Sequence, residues 1–136
     1  MPFEINWYID QQVLLTRYWG EQTEEDLIVS LSKITEMAES SPYRQVHRIT
    51  DLSGVEVPVS LMASQRIFRQ MDRPFIPGLS IIVGERNSMV RTVTSSVRFI
   101  SNQQTRSMET LEEALEFLVE VDPDIQWQDN LVLQYR

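Results

Sequence analysis

The chain contains no cysteine, one histidine, one lysine and four glycines in 136 residues. The missing cysteine excludes disulfides, thiolate metal sites, thiol nucleophiles and iron–sulfur clusters together, and suits a reducing compartment. With His47 as the single histidine, any histidine-dependent triad or multi-histidine metal centre has one ring to draw on. Neither G-x-G-x-x-G nor a Walker Lys-Ser/Thr is present; the nearest segment is Gly84-Glu85-Arg86-Asn87, so a nucleotide site is not expected. No apolar stretch approaches the roughly 18 residues of a membrane span. The first dozen residues, MPFEINWYIDQQ, place Glu4 and Asp10 where a secretory leader has a basic start and an apolar run. A cytoplasmic protein with no membrane partner is expected.

What is present is an ordinary globular composition, with 42% hydrophobic and 24% charged residues, in a chain long enough for one well-buried core. The net charge of −8 is unevenly distributed. Residues 1–43 carry eight acids and two bases, residues 44–106 four acids and nine bases, and residues 107–136 eight acids and one base. The overall sign argues against nucleic acid and anionic membranes as partners. A local basic face remains compatible with it, and eleven of the twelve bases are arginine, the residue suited to bidentate pairing with carboxylate or phosphate.

The pattern of apolar residues predicts alternating strands and helices. Phe3, Ile5, Trp7 and Ile9 alternate with polar neighbours and, with Val13–Trp19, read as a hairpin turning at Gln11-Gln12 and ending at Gly20. Thr23 followed by Glu24-Glu25-Asp26 marks the start of a helix whose stripe is Leu27, Leu31, Ile34 and Ala38. A short strand spans Gln45–Asp51, and Gly54 and Pro58 make the segment 52–59 a loop. A second helix covers about Ser60–Asp72. The apolar run Leu79–Gly84 reads as a central strand. A third helix, capped by Asn87 or Ser88, has the stripe Val90, Val93, Val97 and Ile100. A strand at Thr105–Met108 then precedes a helix opened by the capping box Thr110-Leu111-Glu112-Glu113 and closed by Asp122-Pro123. The expected class is α/β, in the order β-β-α-β-α-β-α-β-α, with a mostly parallel mixed sheet. A single domain covers residues 1–121, and 122–136 form a tail that supplies an edge strand or a dimer contact.

This order resembles the STAS fold of the anti-sigma-factor antagonists over residues 3–121. The segment Asp51-Leu52-Ser53-Gly54-Val55-Glu56-Val57-Pro58-Val59-Ser60 is similar to the family's D-L-S-x-V…D-S-S-G segment between third strand and second helix. The chain looks closer still to a group of small bacterial STAS-like proteins with the same hairpin, the D-L-S-x-V loop and a T-L-E-E-A-L-x-F-L ending. In the anti-sigma-factor antagonists a serine at the start of this helix is phosphorylated by a partner kinase, and Ser60 is the position here that lines up with it. Val59, Leu61 and Met62 depart from the family's acidic residue, second serine and glycine.

Candidate site residues follow from both readings. Ser60 is either a phospho-acceptor at a helix N-terminus or a plain N-cap. Asp51, with Ser53, lies at the carboxyl end of a strand, where open α/β sheets bind ligands, or else caps the Ser53-Gly54 turn. His47 is expected as a packed, hydrogen-bonded ring in mid-strand. Glu109, Glu112, Glu113, Glu116 and Glu120 form a solvated helix face. Trp7, Trp19 and Trp127 are read as lining an apolar pocket or, for the first two, as core on the sheet. Arg66, Arg69, Arg73, Arg91 and Arg98 fall on neighbouring helices and are read as a solvated face, as a docking face for an acidic partner or as a surface that binds an anionic small molecule. The leading expectation is a non-enzymatic regulatory or interaction module without metal or cofactor. It would bind an acidic regulator or a second copy of itself through loop 51–60 and the arginine-bearing helices. The alternative is a protein that binds a small apolar or anionic ligand between sheet and helices.

Overall fold

The computed structural model describes residues 2–71, 78–100, 105–123 and 125. The elements run β1 (Phe3–Ile9), β2 (Val13–Glu21), α1 (Glu24–Glu39), β3 (His47–Val57), α2 (Leu61–Gln70), β4 (Ser80–Val83), α3 (Ser88–Ile100), β5 (Thr105–Met108) and α4 (Leu111–Val121). This is the α/β order expected from the sequence. One five-stranded sheet has the spatial order β1-β2-β3-β4-β5. β1 is antiparallel to β2, and every later pair is parallel.

The helix starts rest on the residues that predict them. Thr23 accepts the Asp26 N–H, and the Asp26 carboxylate accepts the Thr23 N–H, a reciprocal cap on α1. Asn87 Oδ1 accepts the Val90 N–H at 2.8 Å, and Thr110 Oγ1 accepts the Glu113 N–H at 3.2 Å. The hairpin turns at Asp10–Gln12, with Gln11 at φ 62°.

Two strands are longer than expected. β2 continues through Gly20 to Glu21, and β3 continues through Gly54 to Val57 instead of ending at Asp51. The loop expected over 52–59 is therefore mostly strand. Gly54 fits because β2 comes very close to it: a Cβ there would lie 3.0 Å from Trp19 Cβ and 3.2 Å from the Tyr18 carbonyl oxygen. The glycine that reads as a breaker instead allows two strands to approach.

Alternation divides the sheet into two faces. One face carries Val13, Leu15, Ile49, Ile81 and Val83 and is covered by α4 through Ala114, Leu115 and Leu118, with Ile125 packed alongside. The other carries Leu14, Tyr18 and Val55 and is covered by α1, α2 and α3 through Leu31, Ile34, Ile67 and Val90. Trp7 packs half-buried on this second face, whereas Trp19 is 42% exposed. The expectation of a core Trp19 fails because Arg17 and Trp19 follow Leu15 on the α4 face, and α4 packs on β3, β4 and β5. Among the described residues no helix is long and apolar enough to cross a membrane. Arg73, the Ile100 side chain and the tail from residue 126, including Trp127, lie outside the described residues.

Candidate functional site

A concavity lies between the sheet and the three helices of the second face, with a volume of about 190 Å³. α1 contributes Leu27, Leu31 and Ile34 to its walls, α2 contributes Phe68, and α3 contributes Val90, Val93 and Val97. These are the helical stripes the sequence marks as core. They form a cavity because the strands opposite them do not fill the space with large apolar side chains. On that face β3 presents Arg48 and Thr50, β4 presents Ser80 and Ile82, and β5 presents Thr105.

Register brings the polar groups together. Arg48 is the Cα partner of Ser80, and Ser80 of Thr105, so a guanidinium and two hydroxyls form a row across three parallel strands. The row sits at the amino-terminal ends of β3, β4 and β5. Arg48 is only 6% exposed, and its Nη1 donates to the Val46 carbonyl at 2.6 Å, which ties the head group to its own strand. Arg98, in the last turn of α3, lines the same cavity; its Nη2 donates to Ser107 Oγ on β5. Toward the carboxyl ends of the strands Leu52 and Val55 on β3 and Val90 on α3 line the cavity, together with Gln22 and Thr94. Tyr18 closes this end, its hydroxyl donating to Ser30 Oγ at 2.7 Å in a buried contact that fixes α1 on β2.

The candidates chosen from sequence are dispersed. Asp51 and Ser53 do come together, with the Ser53 N–H and Oγ both donating to Asp51 Oδ1, at 2.9 and 2.7 Å. They lie within β3, where its pairing with β2 shifts register and level with Val83 at the end of β4, rather than at the strand end the sequence suggests; they are away from the polar row, and Asp51 Oδ2 lies 3.9 Å from Arg17 Nε. Gly84 abuts this stretch of β3 with φ +76°, and a Cβ on it would come within 2.6 Å of Ser53 Cβ. Ser60 is the exposed N-cap of α2, accepting the Ala63 N–H at 3.2 Å.

The arginines separate into different roles. Arg66 pairs with Glu24 on α1, Arg91 Nε donates to the Glu85 carbonyl at 2.9 Å, and Arg69 is exposed. Arg98 alone of the described members of this set lines the cavity, where it joins Arg48, a residue the sequence does not single out. Among the described residues no three His, Asp or Glu side chains gather as metal ligands.

His47 is 2% exposed and uses both ring nitrogens: Nδ1 accepts the Leu79 N–H at 3.0 Å, and Nε2 meets Asp122 Oδ2 at 2.8 Å. The backbone donor at Nδ1 places the ring proton on Nε2, which donates to Asp122. The pair resembles the His–Asp half of a catalytic triad, but the nitrogen that would serve a nucleophile is occupied by Leu79. It fastens the C-terminus of α4 to β3 instead. The glutamates of α4 lie mostly on the exposed side of that helix, as expected.

Comparison with known proteins finds no matching family model and no curated protein of significant sequence similarity.

Proposed function

We propose that the protein binds a small molecule in the cavity between the sheet and helices α1–α3. The observation that carries this reading is the combination of one mostly apolar cavity of about 190 Å³ with a polar row confined to one end of its floor. Apolar walls with a few convergent polar groups are the usual composition of a ligand site, the walls supplying affinity and the polar groups orientation. The described lining offers apolar walls and a few polar groups, and binding is the activity proposed. The cysteine-free chain suits a cytoplasmic binding protein.

The test uses ethylbenzene as a neutral probe and Val97→Phe as a variant that fills the cavity from α3. Saturating ethylbenzene should raise the Tm of the wild-type protein by about 3–6 °C and leave that of the variant unmoved. An equal shift in both proteins, or none in either, would contradict the reading.

A second reading, an interaction module of the kind the STAS resemblance implies, draws support from the β3–α2 junction. Met62 is 81% exposed there, beside exposed Val57 and Leu61 and next to the N-cap Ser60. Apolar side chains left in water at a helix start favour contact with a protein surface, an acidic regulator or a second copy of this chain, and phosphate on Ser60 would meet the unpaired N–H groups of α2. Size-exclusion light scattering of Met62→Lys against wild type tests the self-association form of this reading. A dimer that the substitution dissociates supports it, and a monomer in both counts against it.

A further inference from the structure

We propose that the outer edge of β1 pairs antiparallel with β1 of a second copy of this chain, joining two five-stranded sheets into one. This surface is separate from both the cavity and the β3–α2 junction.

β1 lies at the end of the strand order, with β2 on one side and no described strand on the other. The Trp19 N–H donates to the Pro2 carbonyl at 3.1 Å, and the ladder runs from Phe3↔Tyr18 to Trp7↔Leu14 without a shift. In an antiparallel pair, residues bonded to the neighbouring strand alternate with residues whose N–H and C=O point the other way. Pro2, Glu4 and Asn6 therefore bond to β2, and Phe3, Ile5 and Trp7 turn their N–H and C=O groups outward. Among the described residues nothing bonds these groups. Natural sheets blunt such edges with lysine, proline, short strands or bulges. Phe3–Ile9 is seven residues long, holds no lysine or proline and carries one charge, Glu4. Its irregularity, between Trp7 and Ile9, falls after the last of the three open residues. The opposite edge strand, β5, has four residues.

The sequence of β1 complements itself in one register. A two-fold contact must match open residues with open residues. Centred on Ile5, it sets Ile5 opposite its own copy and Phe3 opposite Trp7, each such pair exchanging two backbone hydrogen bonds. Phe3 and Trp7 are half-buried in a single copy, and their pairing withdraws both from water. On the other face the same register sets Glu4 opposite Asn6 of the second copy, in the closer positions of the ladder, about 4.5 Å apart at Cα. Asn6 is exposed, and Glu4 faces Arg17 through one oxygen at 3.8 Å, which leaves the other to accept from the amide. Sliding the copies by two residues in one direction would set Glu4 against Glu4, a like-charge pair. Sliding them in the other direction recruits Ile9, whose carbonyl already accepts the Gln12 N–H of the turn.

Size-exclusion light scattering of the wild-type protein should give a dimer. Asn6→Glu should raise its dissociation constant about 2–30-fold, since like charges then face each other on both sides of the axis, and Asn6→Lys, facing Glu4, should lower it by a similar factor. Cross-linking reads the register, because the chain has no cysteine of its own. Under oxidation a mixture of Glu4→Cys and Asn6→Cys chains should form a mixed disulfide. Neither variant should cross-link with itself, since its two thiols would stand on residues about 8 Å apart at Cα, beyond the reach of a disulfide. A monomeric wild type overturns the proposal, as does a dimer that the two Asn6 variants shift alike or not at all, or one in which either cysteine variant cross-links with itself. A dimer that Met62→Lys dissociates while Asn6→Glu leaves it intact places the contact at the β3–α2 junction and overturns it too.

Discussion

The two faces of the sheet come from the same strands yet have different interiors. Under α4, Ile49, Ile81 and Val83 meet Ala114, Leu115 and Leu118, and all six are buried almost completely. Under α1–α3 the adjoining positions of the same strands are Arg48, Thr50, Ser80 and Ile82, and open space remains above them. Since side chains alternate across a strand, each strand residue contributes to one face, and its neighbour to the other. On the proposed reading stability and binding fall on opposite sides of one sheet: the α4 face is packed for cohesion, and the three-helix face keeps a cavity.

Adjacent residues on β4 put that contrast to its largest test. Ile81→Ala removes a side chain with no exposure from the packed face and should cost about 2–5 kcal/mol. Ile82→Ala, on the cavity face, should cost clearly less, because that side chain already borders open space and has fewer contacts to lose. Equal losses in urea unfolding would contradict the distinction between faces. Asp122→Ala comes next: it strips the acceptor from the buried His47 Nε2–H, and an unsatisfied buried donor costs about 1–3 kcal/mol. Tyr18→Phe breaks the buried bond to Ser30 and should cost about 1 kcal/mol. Ser80→Ala is the smallest change, expected within about 0.5 kcal/mol of wild type by the same unfolding curves, because its hydroxyl faces the cavity.

The packed face was largely legible in the sequence, and the cavity was not. Leu111, Leu115 and Leu118 repeat at helical spacing, and LSIIVG announces a central strand, so the α/β order could be read residue by residue. The cavity depends on cross-strand register, which brings Arg48, Ser80 and Thr105 into line although 32 and 25 positions separate them along the chain. Periodicity within one strand carries no such information. The available signal was Arg48 itself, a charged residue between Val46 and Thr50 on one face of a strand whose opposite face holds His47 and Ile49. The spacing of Arg66, Arg69, Arg73, Arg91 and Arg98 on neighbouring helices predicts one positive face, solvated or docking. Helix rotation instead turned Arg98 toward the cavity and Arg66 toward Glu24. Gly54 misled for a related reason, since its role is defined by Trp19 on the neighbouring strand and by nothing adjacent to it in sequence.

The central claim, that one face of the sheet binds and the other only packs, is tested most directly by methyl NMR of the wild-type protein titrated with ethylbenzene. The account predicts saturable shifts at the methyls of Leu31, Ile82, Val93 and Val97, with those of Ile49, Ile81 and Leu118 unmoved. Shifts of similar size on both faces, or none at saturating probe, would contradict it.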